Sequence, residues 1–262
     1  MLELVDIGVN LTHARFADDR AAVVTRAAAA GVNRMVLTGV NIPESKAAAR
    51  HASTDPKHFR STAGIHPHHA GAWDSNTLTE LHEIANDPIV AAIGEMGLDY
   101  NRDFSPRNMQ RNAFTEQLAL AVELKRPVFL HQRDAEADFL AILGEYHKAL
   151  PGMVLHCFTG NGKFLERCLE LNLSIGITGW ICDERRGQAL ADCVTDIPLQ
   201  QLMIETDAPF LLPRDLSEKP RNGRNEPAFL PHILERVACL TGHSLETIAR
   251  TTTQTSINFF GF

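Results

Sequence analysis

The sequence predicts an α/β fold, a single (β/α)8 TIM-like barrel over residues 1–262, and three observations carry that prediction. The 262-residue chain holds eight short apolar runs of strand type. Ala- and Leu-rich stretches of helical character lie between most of them, and strands alternating with helices of that length imply parallel βαβ units. Several runs also end in a polar residue at the same relative place, as in Leu130-His131, Leu155-His156, Gly94-Glu95 and Thr206-Asp207. One such ending is an ordinary hydrogen-bonded core residue; four at matching positions indicate a shared site, and barrel active sites lie at the C-terminal ends of the strands. A doubly wound open sheet is the alternative. Its nucleotide-binding form needs a Gly-rich turn after the first strand, whereas Gly8-Val9-Asn10-Leu11-Thr12 offers one glycine.

In order, the predicted strands are residues 2–6, 34–39, 59–65, 89–95, 127–131, 152–156, 173–178 and 202–207. Residues 18–30 form a helix with Val23 and Ala27 at i, i+4. Residues 107–124 form another, with Phe114, Leu118 and Val122 on one stripe, and residues 135–150 a third around Phe139, Ile142, Leu143 and Tyr146. Residues 209–227, rich in proline and carrying Arg214, Arg221 and Arg224, read as a long loop, and long loops in compact domains are often functional. Phe229, Ile233 and Val237 mark a helix beyond it, and a last helix runs from Leu245 towards Phe260.

Composition narrows the setting. Apolar content of 44% and charge of 22% are those of a globular protein, and every apolar stretch is far shorter than the ~18–20 residues of a membrane span. The N-terminal Met1-Leu2-Glu3-Leu4 lacks the basic start of a signal peptide, so a cytoplasmic protein without membrane contact is expected. The five cysteines form no CxxC pair, which argues against a disulfide framework or a structural zinc site. A net charge of −7 disfavours non-specific adhesion to nucleic acid, but leaves room for a local basic cleft. No oligomer seam is evident, and a monomer is expected.

Read at the strand ends, the candidate site comprises Glu95, His131 and His156 from strands four to six, His66 from strand three and Asp207 from strand eight. A carboxylate with imidazoles and no thiolate suits Mn, Zn, Fe or Mg with open positions. A metal there makes water a usable nucleophile near neutral pH, and Asp207 is placed to accept its proton. Glu205 shares the face of Asp207 by the strand period of two and lies one layer deeper. His66 is a candidate to bind a leaving group or donate a proton, while His68 and His69, beyond Pro67, read as surface residues. Arg133 lies on the face of His131 and can clamp an anion bidentately. Arg214, Arg221 and Arg224 are candidates to track a phosphate backbone, and Trp180 is the best candidate to stack on a base.

Several separated motifs resemble the TatD family of metal-dependent hydrolases: Pro127-Val128-Phe129-Leu130-His131-Gln132-Arg133-Asp134, Leu202-Met203-Ile204-Glu205-Thr206-Asp207-Ala208-Pro209, Gly64-Ile65-His66-Pro67, Glu95-Met96-Gly97-Leu98-Asp99, His156-Cys157-Phe158-Thr159-Gly160 and Arg224-Asn225-Glu226-Pro227. The resemblance spans essentially the whole chain. It implies an amidohydrolase-type barrel and a divalent-metal-dependent 3′→5′ exonuclease on single-stranded DNA and RNA, in DNA repair or nucleic acid degradation. By the resemblance Glu95, His131 and His156 bind metal and Asp207 is the acid at the reacting centre. The family's HxH pair on strand one is replaced by Gly8 and Asn10. The expectation is therefore one firm metal, Mg²⁺ first with Mn²⁺ or Zn²⁺ as alternatives, and a second site weak or absent. Two other readings stand beside this one: an ester or amide hydrolase, such as an aminoacyl-tRNA deacylase or small-molecule amidohydrolase, and a non-catalytic scaffold or quality-control protein.

Overall fold

A computed structural model of the chain describes residues 3–262. Its strands are β1 (Leu4–Val9), β2 (Val32–Leu37), β3 (Phe59–Ala63), β4 (Val90–Asp99), β5 (Val128–Arg133), β6 (Met153–Leu155), β7 (Ser174–Ile177) and β8 (Leu202–Ile204). They belong to one sheet in sequence order, and the pairs β3–β4, β4–β5, β5–β6 and β7–β8 run parallel. The helices are α1 (Arg20–Ala29), α2 (Ile42–Ala52), α3 (Thr77–Ala85), α4 (Arg107–Leu124), α5 (Glu136–Tyr146), α6 (Gly162–Glu170), α7 (Gln188–Ala191), α8 (Leu230–Thr241) and α9 (Leu245–Phe260). This is the connectivity of the predicted (β/α)8 barrel. Among the described residues no helix is long and apolar enough to cross a membrane. The chain falls into two compact units: Leu37–His156 with Arg167–Leu173, and the residues through Val36 with Cys157–Glu166 and Ser174–Phe262.

In the unit built on Leu37–His156, β4 is the longest strand and is buried along its whole length. It was expected to stop at Glu95, but pairing with β5 carries it on to Asp99, with Gly97 opposite His131 and Asp99 opposite Arg133. That continuation depends on glycine. A Cβ on Gly97, whose φ is +144°, would lie 1.9 Å from the His131 carbonyl oxygen, so no other residue allows the strands this close.

The helix α4 follows. Pro106 precedes it, and Lys125 ends it in the left-handed region, two residues before Pro127, which cannot continue a helix. Its buried stripe of Ala113, Phe114, Leu118 and Ala121 also contains two glutamines. Gln117 accepts the Ile65 N–H at 2.7 Å and donates to the Ile65 carbonyl at 3.2 Å. Gln110 does the same to Asp99, at 2.9 and 3.2 Å, and donates to the Ser105 carbonyl at 2.8 Å. Each amide thus clamps backbone that a strand ladder has left behind.

In the other unit, β1 reaches Val9, further than the expected residue 6, because the segment after β8 prolongs its ladder. Val9 bridges Ala208, Asn10 N–H donates to the Ala208 carbonyl at 2.8 Å, and Asp207 N–H donates to the Gly8 carbonyl at 2.9 Å. The predicted Leu2 lies outside the described residues. Asp6 is therefore interior to the strand, fully buried. It accepts from Thr206 N at 2.9 Å, Thr206 Oγ1 at 2.5 Å and Gly8 N at 3.3 Å. Burial outweighs these bonds and pushes its carboxyl up to about 8.

The long loop after β8 is present as predicted, and it is held at several points. Asn225, buried, donates to the Thr206 carbonyl at 2.8 Å. Arg224 donates to Asp19 through both terminal nitrogens at 2.7 Å, to Glu226 at 2.6 Å and to the Arg15 carbonyl at 2.7 Å. Asp215 accepts from His232 Nε2 on α8 at 2.6 Å, beside the buried Cys182, whose thiol burial and the Asp215 carboxylate push up to about 12.

Two outcomes follow from these contacts. Gln117→Leu leaves the Ile65 N–H and carbonyl buried without partners and should cost about 2 kcal/mol, read as a lower urea midpoint at unchanged m-value. Asp6 sits near 3.8 when unfolded and about 8 when folded, so the native chain holds the extra proton between those values and its stability falls as pH rises through them. Paired melts should show the wild type losing ground to Asp6→Asn from about pH 5 to about pH 8; a constant difference would mean that Asp6 is ionised throughout.

Candidate metal centre

The unit holding β3 to β6 brings three predicted histidines to one carboxylate oxygen of the predicted Glu95. Glu95 Oε1 lies 2.8 Å from His156 Nε2, 2.9 Å from His131 Nδ1 and 3.3 Å from His66 Nε2. Each side chain is delivered by strand geometry. Glu95 sits within β4, its N–H bonded to the Gly39 carbonyl at 2.8 Å. His131 lies in β5, and His156 directly follows β6, its N–H bonded to the Leu130 carbonyl at 2.9 Å. His66 follows the Ile65 backbone that Gln117 clamps. The His66 and His131 rings meet edge to face at 4.4 Å, and Phe129 packs on His156 at 4.8 Å.

Electrostatics follow from this crowding. Burial opposes ionisation of Glu95, yet the surrounding imidazoles hold its carboxyl well below the usual range. Burial pushes His66 down to about 4. Burial also works against a charge on His131, but the carboxylates of Asp99 and Glu95 on either side outweigh it and raise its pKa. His66 Nδ1 accepts the His68 N–H at 3.1 Å, which assigns the proton of the neutral ring to Nε2. His66 therefore presents a donor, while Glu95, His131 and His156 offer oxygen and nitrogen donors. A buried carboxylate with the His131 and His156 nitrogens 2.9 and 2.8 Å from one oxygen fits a divalent cation of the Mg, Mn or Zn type.

A further set of residues was not singled out in the sequence. Asp99 Oδ2 accepts from His68 Nε2 at 2.7 Å and lies 3.5 Å from His131 Nε2; its imidazole partners offset burial and hold its carboxyl far below the ordinary value. His68, expected at the surface, is drawn inward by that carboxylate, and its ring contacts His66 at 4.3 Å. The period of two that runs Glu95, Gly97, Asp99 was the available signal, hidden by the expectation that β4 ends at Glu95. Gln110 and Gln117 carry a signal of their own: two amides seven residues apart on an otherwise apolar helical stripe.

Asp207 belongs to the other unit. It follows β8 with φ +55°, and its Oδ1 accepts from Asn10 Nδ2 at 3.0 Å. Asn10 thus turns its amide nitrogen to the acid. Glu205 is fully buried and accepts the Cys157 N–H at 2.6 Å, a structural use consistent with its deeper layer. Cys157 lies just beyond β6 with φ +48°, outside strand geometry. Arg133 ends β5 and is half-buried, and Arg214 stands 3.7 Å from Glu184 and 3.8 Å from Asp183. Arg224, expected to track phosphates, has its guanidinium bonded to Asp19, Glu226 and the Arg15 carbonyl and covering the Phe16 ring at 4.9 Å. Trp180, expected to stack on a base, is buried with Arg186 over its ring at 4.3 Å.

Comparison with known proteins bears on this arrangement. The model of the TatD related DNase family matches residues 5–261. A protein of Citrobacter rodentium (strain ICC168) named 3′-5′ ssDNA/RNA exonuclease TatD is 52% identical over 258 residues, covering 98% of both chains. A protein of the same name from Erwinia amylovora is 51% identical over 258 residues, covering 98% of this chain and 100% of its own. Among solved structures, a TatD homologue from Escherichia coli K12 superposes with a TM-score of 0.89 at 26% identity, over 99% of this chain and 98% of that one. A TatD family hydrolase from Entamoeba histolytica gives 0.88 at 25%, with the same coverage. With the family model and relatives half identical both extending along nearly the full length, the chain belongs to the TatD family of related DNases.

Proposed function

We propose that this chain is a divalent-metal-dependent exonuclease that removes nucleotides from the 3′ end of single-stranded DNA and RNA. The observation that carries the reading is the convergence of three imidazoles on Glu95 Oε1 in a chain about half identical to relatives named for that activity. Glu95, His131 and His156 would hold one metal, Mg²⁺ in the cell with Mn²⁺ as substitute. When bound, such an ion lowers the pKa of water and polarises the phosphoryl oxygen under attack. Asp207, its carboxylate oriented by the Asn10 amide, takes the proton of the attacking water. His66 presents its Nε2–H to the departing oxygen. Asp99 is a positioning residue: it turns His131 through the far ring nitrogen, as carboxylates behind ligating histidines do. Arg133 and Arg214 hold the phosphates of the strand. The protein would act in the cytoplasm as a monomer.

Gly8 and Asn10 stand where the family resemblance places two histidines, and the Asn10 amide nitrogen is spent on Asp207. The substrate-free protein should therefore bind one equivalent of Mn²⁺ in calorimetry. Two tight equivalents would overturn the single-site reading. Asp99→Asn should weaken that binding or the activity by about tenfold to a hundredfold.

The test of the function is a 5′-labelled single-stranded DNA oligomer in Mg²⁺. A ladder shortening from the 3′ end, abolished by EDTA and by Glu95→Ala, is expected. Intact oligomer in both Mg²⁺ and Mn²⁺ would overturn the exonuclease reading and turn attention to aminoacyl esters and amides.

A further inference from the structure

Phe104 is the most exposed large apolar side chain among the described residues, at 68%. It lies between β4 and α4, in a loop that is fixed on both sides. Before it, Asp99 Oδ1 accepts the N–H groups of Asn101 at 3.0 Å and Arg102 at 2.8 Å, and Asn101 Nδ2 donates to Asp134 at 2.7 Å. Asp103 takes a left-handed φ of +53° and pairs with Arg107 at 2.9 Å. After it, Ser105 is buried: its hydroxyl donates to the His68 carbonyl at 3.0 Å and accepts the Gly71 N–H at 2.8 Å, and its carbonyl accepts from Gln110. A ring held out by an anchored loop is exposed by construction, against the hydrophobic effect.

The ring meets His68 edge to face at 4.7 Å, and His68 is bonded to the same Asp99 carboxylate that lies beside His131. One carboxylate therefore sets both the loop that carries the ring and the rear of the metal centre. Arg102, two residues earlier in the same loop, is exposed and has no ion pair among the described residues. An exposed π-face and an unpaired cation on one loop supply the two elements with which proteins hold single strands, the ring for a base and the cation for a phosphate.

We propose that Phe104 is a stacking platform for a nucleobase near the 3′ end of the substrate, with Arg102 of the same loop for the backbone. This inference rests on the exonuclease reading above and adds a base-recognition element to it. Trp180 cannot fill this part, since its ring is buried under Arg186. Stacking on a π-face tolerates any base, so the platform demands that a base be present and leaves its identity open.

The test compares an oligomer carrying all its bases with oligomers carrying one abasic nucleotide at each of the three 3′-terminal positions. In the wild type, one abasic position should lower kcat/KM by about tenfold. Phe104→Ala and Phe104→Leu should lose that discrimination, with the loss on the fully based oligomer appearing mainly in KM, and Phe104→Trp should restore it. A Phe104→Leu protein that is folded and metal-loaded yet discriminates like the wild type overturns the platform while leaving the exonuclease standing. A wild type that degrades no oligomer overturns the exonuclease reading itself.

Discussion

A carboxylate stripped of water is costly unless opposite charge or donors surround it, and Glu95 is such a carboxylate. It is buried on the longest strand of the sheet, and three imidazoles supply what solvent no longer does. Much of the surrounding unit serves to bring those imidazoles in. Gly97 lets β5 approach closely enough to carry His131, β6 ends so that His156 follows immediately, and Asp99 fastens the outer imidazoles. These hydrogen bonds all point at one oxygen, so a cation bound there would meet donors that are already gathered.

The fold was largely legible in the sequence because its signals are local. Apolar runs alternate with helical stripes, and the bounds of α4 and α9 match the apolar periodicity. The polar strand ends were legible for the same reason, and Glu95, His66, His131 and His156 do meet. What was hidden depends on partners distant in sequence. The extension of β4 to Asp99 is decided by pairing with β5, and the extension of β1 to Val9 by the segment after β8. His68 looked like a surface residue because nothing local reveals the carboxylate that draws it in. Arg224 looked available because Asp19, which binds both its terminal nitrogens, lies about two hundred residues away in sequence, although Glu226 stands two residues on in the same motif. Trp180 looked like a stacking residue until its burial was known.

The Arg224-Asn225-Glu226 motif has a purpose that chemistry at strand ends did not suggest. Arg224 and Glu226, with Asp19 and Arg26, form a closed set of alternating charges, and Asn225 bonds the carbonyl next to Asp207. The motif thus supports the backbone that presents the acid. Asn10 acts on the same residue from the side chain. Where the family resemblance places metal-binding histidines, this chain keeps a neutral amide that orients the acid by a hydrogen bond.

The two glutamines of α4 have a mechanical consequence. Gln110 and Gln117 stand two helical turns apart on one stripe and grip the chain at Asp99 and at Ile65, the neighbour of His66. The helix thereby works as a ruler: the separation between the His66 side of the cluster and its outer carboxylate, Asp99, is copied from the rise of an α-helix, which is among the stiffest lengths a polypeptide can make. The intervening loop, residues 100–106, is tied to the same length, since Gln110 also holds the Ser105 carbonyl and Asp99 takes the N–H groups of Asn101 and Arg102.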